Sequence, residues 1–316
     1  MFTTPNFWKR KGFLSYLLLP IAKIYYAISY LNQKFKITKK VPRPVICVGN
    51  VVLGGAGKTP VVIAISKILK NLGYQPHIIS RGYGAVIRQV TKVDSTKHDY
   101  LNVGDEPLLL SKNAPTWVST DRRQSIDSAI KDGANILILD DGLQNKSIYK
   151  DLNILVIDSL QGLGNSLLFP SGPLREPLNQ ALKNSHLIVI VGDHEVDIQT
   201  NIPKVRAKFD IISDIPHQSV VAFAGLGYPE KFLYTLEHHG FRVFEFLKYP
   251  DHHPYTIPQI KKLLKIAESY GARLMTTEKD FTRIPEKYQK DVLFLKVELC
   301  FDDPIFIEKI LKNHLS

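Results

Sequence analysis

Apolar runs of four or five residues alternate with segments of helical spacing along most of this chain. The first run, residues 45–48, leads into the turn Gly54-Gly55-Ala56-Gly57. Lys58 and Thr59 then open an apolar-periodic segment that predicts a helix. Residues 77–80, 116–118, 136–139, 154–157 and 187–191 predict further buried strands. Gly104-Asp105-Glu106-Pro107 and Asp121-Arg122-Arg123 predict helix starts. Residues 163–177 hold too many glycines and prolines for a helix and read as a structured loop. A second pattern follows a connection at 202–216, with strands at 220–224, 243–246, 273–277 and 292–297 and helices at 230–239 and 257–269. Strands alternating with helices predict a doubly wound, mostly parallel α/β/α sheet of the P-loop NTPase type, with a second, smaller α/β domain. The expected boundaries are 1–43 for a leader, 44–215 for the P-loop domain and 216–316 for the smaller one.

The leader has a different pattern. Leu14, Leu17, Leu18, Ile21, Ile24, Tyr25, Ile28 and Leu31 recur at helical spacing, with Pro20 expected to kink or restart the helix. Lys23 interrupts the run, which favours a helix lying in a membrane interface over one crossing it. Charge sharpens this reading. The 316 residues carry a net charge of +11, and nine basic residues with no acid lie in the first 43, so nine of the eleven net charges belong to the leader. An apolar stripe flanked by cations suits an anionic membrane surface; the plainer alternative is a core helix. No nucleic-acid motif accompanies the basic residues, so none is expected as a partner. Cys47 and Cys300 supply no disulfide or zinc framework.

The chemistry gathers at strand ends. Strand, glycine-rich turn, Lys58-Thr59 and helix form the context of a phosphate-binding loop. Residues Val52, Leu53, Gly54, Gly55, Ala56, Gly57, Lys58 and Thr59 would cradle the phosphates, Lys58 reaching the β- and γ-phosphates and Thr59 a Mg²⁺ ion. The usual pattern has glycine where Val52 stands; a glycine turn that binds nothing is the alternative. Asp140 and Asp141 end an apolar strand as Walker B acids do, which suits a metal site or a plain acidic turn. Arg81, Arg122, Arg123 and Arg175 are candidate phosphate ligands or structural arginines. Asp105 reads equally as a helix-capping acid, and His252 and His253 as loop histidines.

Taken in order, several strings resemble the tetraacyldisaccharide 4′-kinase family of the Gram-negative lipid A pathway. They are residues 48–60, Gly104-Asp105-Glu106-Pro107, Leu139-Asp140-Asp141-Gly142, Leu174-Arg175-Glu176-Pro177, Phe223-Ala224-Gly225-Leu226-Gly227, Pro250-Asp251-His252 and Thr276-Thr277-Glu278-Lys279-Asp280. The family shares the departure at Val52. The resemblance implies transfer of the γ-phosphoryl of ATP to the 4′-hydroxyl of a tetraacylated disaccharide 1-phosphate, on the cytoplasmic face of the inner membrane, with no obligate protein partner. It implies catalytic roles for Asp105, His252 and Lys58, with Asp105 taking the hydroxyl proton and His252 orienting it. It implies a Mg²⁺ site at Thr59, Asp140, Asp141 and Glu176. Leu143 and Asn145 replace the family's usual phenylalanine and histidine. The competing reading is a P-loop ATPase or GTPase switch. Leu53 stands where such proteins often carry an extra lysine, and the nearest string to Asn-Lys-x-Asp is Thr277-Glu278-Lys279-Asp280.

Overall fold

A computed structural model describes residues 5–34, 36–55, 57–87, 89–212, 215–216 and 218–315. Its strands, in chain order, are β1 (Val45–Gly49), β2 (Pro76–Ser80), β3 (Thr91–Lys92), β4 (Thr116–Val118), β5 (Ile136–Asp140), β6 (Leu152–Asp158), β7 (Leu187–Val191), β8 (Lys204–Ile211), β9 (Ser219–Ala224), β10 (Arg242–Lys248), β11 (Arg273–Thr277), β12 (Val292–Leu295) and β13 (Val297–Phe301). Nine of them form one sheet in the order β13-β8-β7-β6-β1-β5-β2-β4-β3; the other four form a second sheet, β10-β9-β11-β12. The first sheet is parallel except at its two edges, where β13 pairs with β8 and β3 with β4 in antiparallel fashion. All pairs in the second sheet are parallel.

Every residue of β1, β2, β5 and β7 is buried, as expected for strands covered on both faces. Alternation along β1 divides the core: Ile46 and Val48 pack with Ile65, Leu69, Ile138 and Ile154, while Val45 and Cys47 pack with Ile126, Leu137 and Leu139 on the other face. β1 lies between β5 and β6, with Val48 opposite Asp140. The loops leaving three adjacent strands therefore meet at one carboxyl edge, where open α/β sheets bind ligands.

Two expectations are corrected here. Residues 202–216 are not merely a connection, since β8 lies within them. Nor does everything from residue 216 onward belong to the smaller unit. The chain returns to the large sheet through β13, and Ile307 and Leu311 of the helix Pro304–Leu315 join the core with Ile46 and Val48. The second sheet and its helices thus form an insertion between β8 and β13.

Pro20 restarts the leader helix: Phe13–Leu17 ends at Leu18, and Leu19–Lys34 begins with Pro20 in its first turn. Trp8, Ser15 and Ala22 are buried, whereas Leu14, Leu17, Ile21, Ile24, Tyr25, Ile28 and Leu31 are exposed. No helix among the described residues is long and apolar enough to cross a membrane.

Candidate active site

The glycine-rich turn leaves β1 through Asn50. Val52 is buried among Leu155, Ile157 and Leu174, and the Leu53 N–H donates to Pro173 O at 2.8 Å. Val52 thus also serves the core and Leu53 the neighbouring loop; Ala56 lies outside the described residues. Gly54 (φ +109°) and Gly57 (φ +78°) occupy backbone conformations that favour glycine. Gly57 precedes the helix Lys58–Asn71, whose first turn holds no acid, so the positive end of its dipole is uncompensated. Lys58 Nζ lies 3.3 Å from Asn50 Oδ1 and 3.7 Å from Asp141 Oδ2. Thr59, next on the helix, is half-buried.

β5 delivers Asp140, which is buried; Ser80 Oγ donates to its Oδ2 at 3.1 Å. Asp141 then turns left-handed (φ +52°). That turn is held by Arg122 Nη2, which donates to the Asp140 and Asp141 carbonyls at 2.8 and 2.7 Å, and by Arg175 Nη1, 3.0 and 2.9 Å from the two Asp141 carboxylate oxygens. The two acids differ electrostatically. Burial, reinforced by the neighbouring Asp141 charge, pushes Asp140 up. Burial also acts on Asp141, but Lys58 and Arg175 outweigh it and hold its carboxyl at about 2. Glu176 Oε1 accepts from Gln144 Nε2 at 2.8 Å, and Gln144 also donates to Asn50 O. Leu143 packs in the apolar clusters flanking the sheet, and Asn145 caps its own turn by accepting from Ser147.

Asp140 Oδ1, Arg122 Nε and Nη1, and Arg175 Nε are buried without a hydrogen-bond partner among the described residues. Unpaired buried polar atoms are costly. A carboxylate oxygen and guanidinium nitrogens around one turn, beside Lys58, fit a polyphosphate with its divalent cation. Asp140 has the available oxygen, whereas Asp141 is engaged by two cations.

The second cluster joins the two units. Gly104 (φ +92°) aims the chain so that Asp105 opens the helix Asp105–Ser111 in a buried position. A Cβ at Gly104 would come within 3.2 Å of Tyr83 O. His252 follows β10 in the inserted unit and also has positive φ, +58°. Its Nδ1 lies 3.0 Å from both Asp105 carboxylate oxygens, so the structure brings together the two residues paired by the family resemblance. Lys279 Nζ reaches Glu106 at 2.7 Å and Asp251 at 3.3 Å, and Arg283 Nε lies 3.5 Å from Asp105. Buried Asp280 braces the arrangement, accepting from Gly225 N–H, Tyr255 O–H and Arg283 Nη2.

Burial opposes charge on Asp105, but the hydrogen bond from the Glu106 carboxyl and the Lys279 and His252 cations keep it ionised well below the usual carboxylate range. Burial, with the Asp105 charge beside it, pushes Glu106 up to about 7. Burial lowers and the Asp105 hydrogen bond raises His252, with a net upward shift. The cluster thus holds a depressed carboxyl at Asp105 beside two groups, Glu106 and His252, that are shifted upward.

The loop after β2 touches both clusters. From the end of β2, Ser80 touches Asp140, and the Tyr83 ring lies 5.5 Å from the His252 ring. Glu106, Lys279 and Arg283 were not singled out from the sequence. Lys279 pairs across 173 residues with Glu106, a distance over which local pattern carries no signal. His253 stacks on Tyr249 and bonds Gln259, so it is structural. Of the four arginines proposed as phosphate ligands, Arg122 and Arg175 contact the strand-end acids.

A phosphate loop, paired strand-end acids and an Asp–His pair across the two units define a P-loop phosphotransferase with an inserted α/β unit. A family model described as tetraacyldisaccharide-1-P 4'-kinase matches residues 14–315. The chain is 41% identical over 308 residues to a tetraacyldisaccharide 4'-kinase of Paramagnetospirillum magneticum, covering 95% of each chain. It is 38% identical to one of Rhodospirillum centenum, covering 99% of this chain and 96% of the relative. The crystal structure of the "apo" form of LpxK from Aquifex aeolicus in complex with ATP superposes with a TM-score of 0.77 at 26% identity, over 96% of this chain and all of that one. The chain belongs to the tetraacyldisaccharide 4'-kinase family.

Proposed function

We propose that this chain transfers the γ-phosphoryl group of ATP to the 4′-hydroxyl of a tetraacyldisaccharide 1-phosphate, a step of lipid A biosynthesis. The observation that carries this reading is the 3.0 Å contact between Asp105 and His252, made across two units and linked through the loop after β2 to Asp140. Phosphoryl transfer asks a protein mainly for alignment and charge neutralisation. The helix end at Gly57 and Lys58 neutralise the phosphates; Arg122 and Arg175 add fixed positive charge beside them. Thr59, Asp140 and Glu176, with Asp141 behind them, would hold Mg²⁺, which supplies charge neutralisation between the phosphates. Asp105 is ionised and accepts the proton of the incoming hydroxyl, while His252 holds the carboxylate in place. The inserted unit contacts both the phosphate loop and Asp105, an arrangement that would limit access of water to the phosphoryl group.

The exposed apolar stripe of the leader, flanked by basic residues, supports docking on the anionic cytoplasmic face of the inner membrane, where an acylated substrate resides.

The direct test incubates the protein with Mg²⁺–ATP and the disaccharide lipid and follows the lipid by mass spectrometry. A doubly phosphorylated product is expected. Lys58→Ala, Asp105→Ala and Asp140→Ala are each expected to lower kcat roughly 100-fold or more. Nucleotide hydrolysis without a phosphorylated lipid would instead indicate a P-loop switch.

A further inference from the structure

Two of the contacts between the inserted unit and the large sheet lie beside the chemistry, and one is the Asp105–His252 cluster. The other lies at the phosphate loop. Lys231, in the first turn of the helix Glu230–His238, pairs with Asp158 Oδ2 at 2.7 Å and donates to the Gly55 carbonyl. Asp158 ends β6, next to β1, and is 5% exposed at its side chain. Gly227 lies nearby: a Cβ there would come within 2.8 Å of Gly55 N and 3.2 Å of Asp251 Oδ2. The turn before Lys231 is thus wedged between the phosphate loop and the loop that carries His252.

We propose that Lys231 is a positioning residue for phosphoryl transfer: it clamps the inserted unit onto the phosphate loop and so seats His252 on Asp105. This inference rests on the kinase reading and adds a residue to it. Three physical points carry it. A phosphate loop works through its N–H groups, and a carbonyl turned inward would repel the nucleotide; Lys231 holds the Gly55 oxygen toward the inserted unit. A largely desolvated ion pair such as Lys231–Asp158 contributes little net stability but constrains geometry, because either charge left alone in that site is costly. His252 sits at φ +58°, a conformation that persists when the surroundings over-determine it, and the clamp supplies a second anchor for its loop.

The test uses the full chain. Lys231→Met keeps the side-chain length and removes the charge; Asp158→Asn removes the partner; Lys248→Met, which breaks the exposed pair with Glu230 on the same unit, is the control. Lys231→Met is expected to lower kcat about tenfold or more while the Kd of a fluorescent ATP analogue changes less than about threefold, a split that separates positioning from binding. Lys231→Arg should recover part of the loss. Losses from Lys231→Met and Asp158→Asn should be non-additive, as for partners in one interaction. With no lipid present, Lys231→Met should also speed amide exchange both at residues 53–58 and at 250–254. Unchanged kcat, additive losses or an equal loss in the Lys248→Met control would overturn the clamp. So would exchange that rises at neither or only one of the two loops. The exchange measurement needs no activity, so if the wild-type chain phosphorylates no lipid, the kinase reading fails while the clamp is still judged.

Discussion

Glu106 is the residue whose proton most directly tunes the Asp105 cluster. Its carboxyl is pushed up to about 7, whereas an unfolded chain would titrate it near the ordinary glutamate value. Between those two values the folded protein binds more protons than the unfolded chain, so stability falls as pH rises through that window. His252 acts in the same direction: its folded value is raised, so its contribution is present below its ordinary value and is lost as pH climbs through the folded one. Asp105 works the other way, but only in acid, because its folded value is depressed. Urea unfolding is therefore expected to show the wild type losing on the order of 1–3 kcal/mol between pH 5 and pH 8. Glu106→Gln should flatten that slope, and an unchanged slope would refute the assignment of the shared proton. At this scale the sequence pointed to candidates where residue type and a strand end go together, as for Lys58 and Asp140, whereas Asp105 was singled out only by the family resemblance. It was silent about Lys279 and Arg283, whose roles exist only once the inserted unit folds back on residues 105–106. Positive φ at Asp141 and His252 was also invisible, since both side chains are held there by partners distant in sequence: Arg175 for Asp141, Asp105 for His252.

At the scale of elements, the leader is joined to the catalytic unit by a small set of buried polar bonds. Asn165 Nδ2 donates to Phe7 O, Ser15 Oγ and Ser171 O, its own N–H donates to Trp8 O, and Trp8 Nε1 donates to Pro170 O. The loop that read as glycine- and proline-rich is therefore a socket, and its later residues Arg175 and Glu176 reach Asp141 and Gln144. Anchoring one face of the leader there leaves the apolar stripe outward. Ile24→Glu together with Ile28→Glu is expected to reduce sedimentation with phosphatidylglycerol-containing vesicles several-fold, with little change in thermal midpoint because both side chains are exposed. A large fall in midpoint with vesicle binding intact would show the stripe to be a packing surface. Most of the strands that sequence reading found are largely buried apolar runs; β10, with no fully buried residue, was legible from Val243, Phe244 and Phe246. β8 was read as part of a connection although polar and apolar residues alternate throughout Lys204–Ile211; only Val205 and Ala207 of its eight residues are buried. β13 was run together with β12 because only Lys296 separates two strands that belong to different sheets.

At the scale of the whole molecule, the return of the chain through β13 makes a strong claim about what folds alone. Val297 lies directly opposite Ile211 in an antiparallel ladder, and the Ile212 N–H donates to Lys296 O at 3.1 Å. The inserted unit therefore leaves and re-enters the large sheet at neighbouring positions. Replacing residues 213–295 with Asn-Gly would join Ile212 to Lys296 by a two-residue hairpin turn of the type that matches strand twist. Such a chain keeps all nine strands of the first sheet together with Ile307 and Leu311 in its core. It is expected to be soluble, to unfold cooperatively and to bind a fluorescent ATP analogue, because the Lys58 loop and Asp140 remain. It should phosphorylate no lipid, since His252, Lys279 and Lys231 have been removed together. Cutting the wild-type chain after Leu295 should do the opposite damage, stripping β13 and the last helix from the large sheet and exposing the faces of Ile46 and Val48 to solvent. If the hairpin-closed chain proved insoluble and the truncated one folded, the two units would not divide where the strand pairing places them. If the hairpin-closed chain still phosphorylated lipid, the acid–base pair spanning the units would not be the catalytic one.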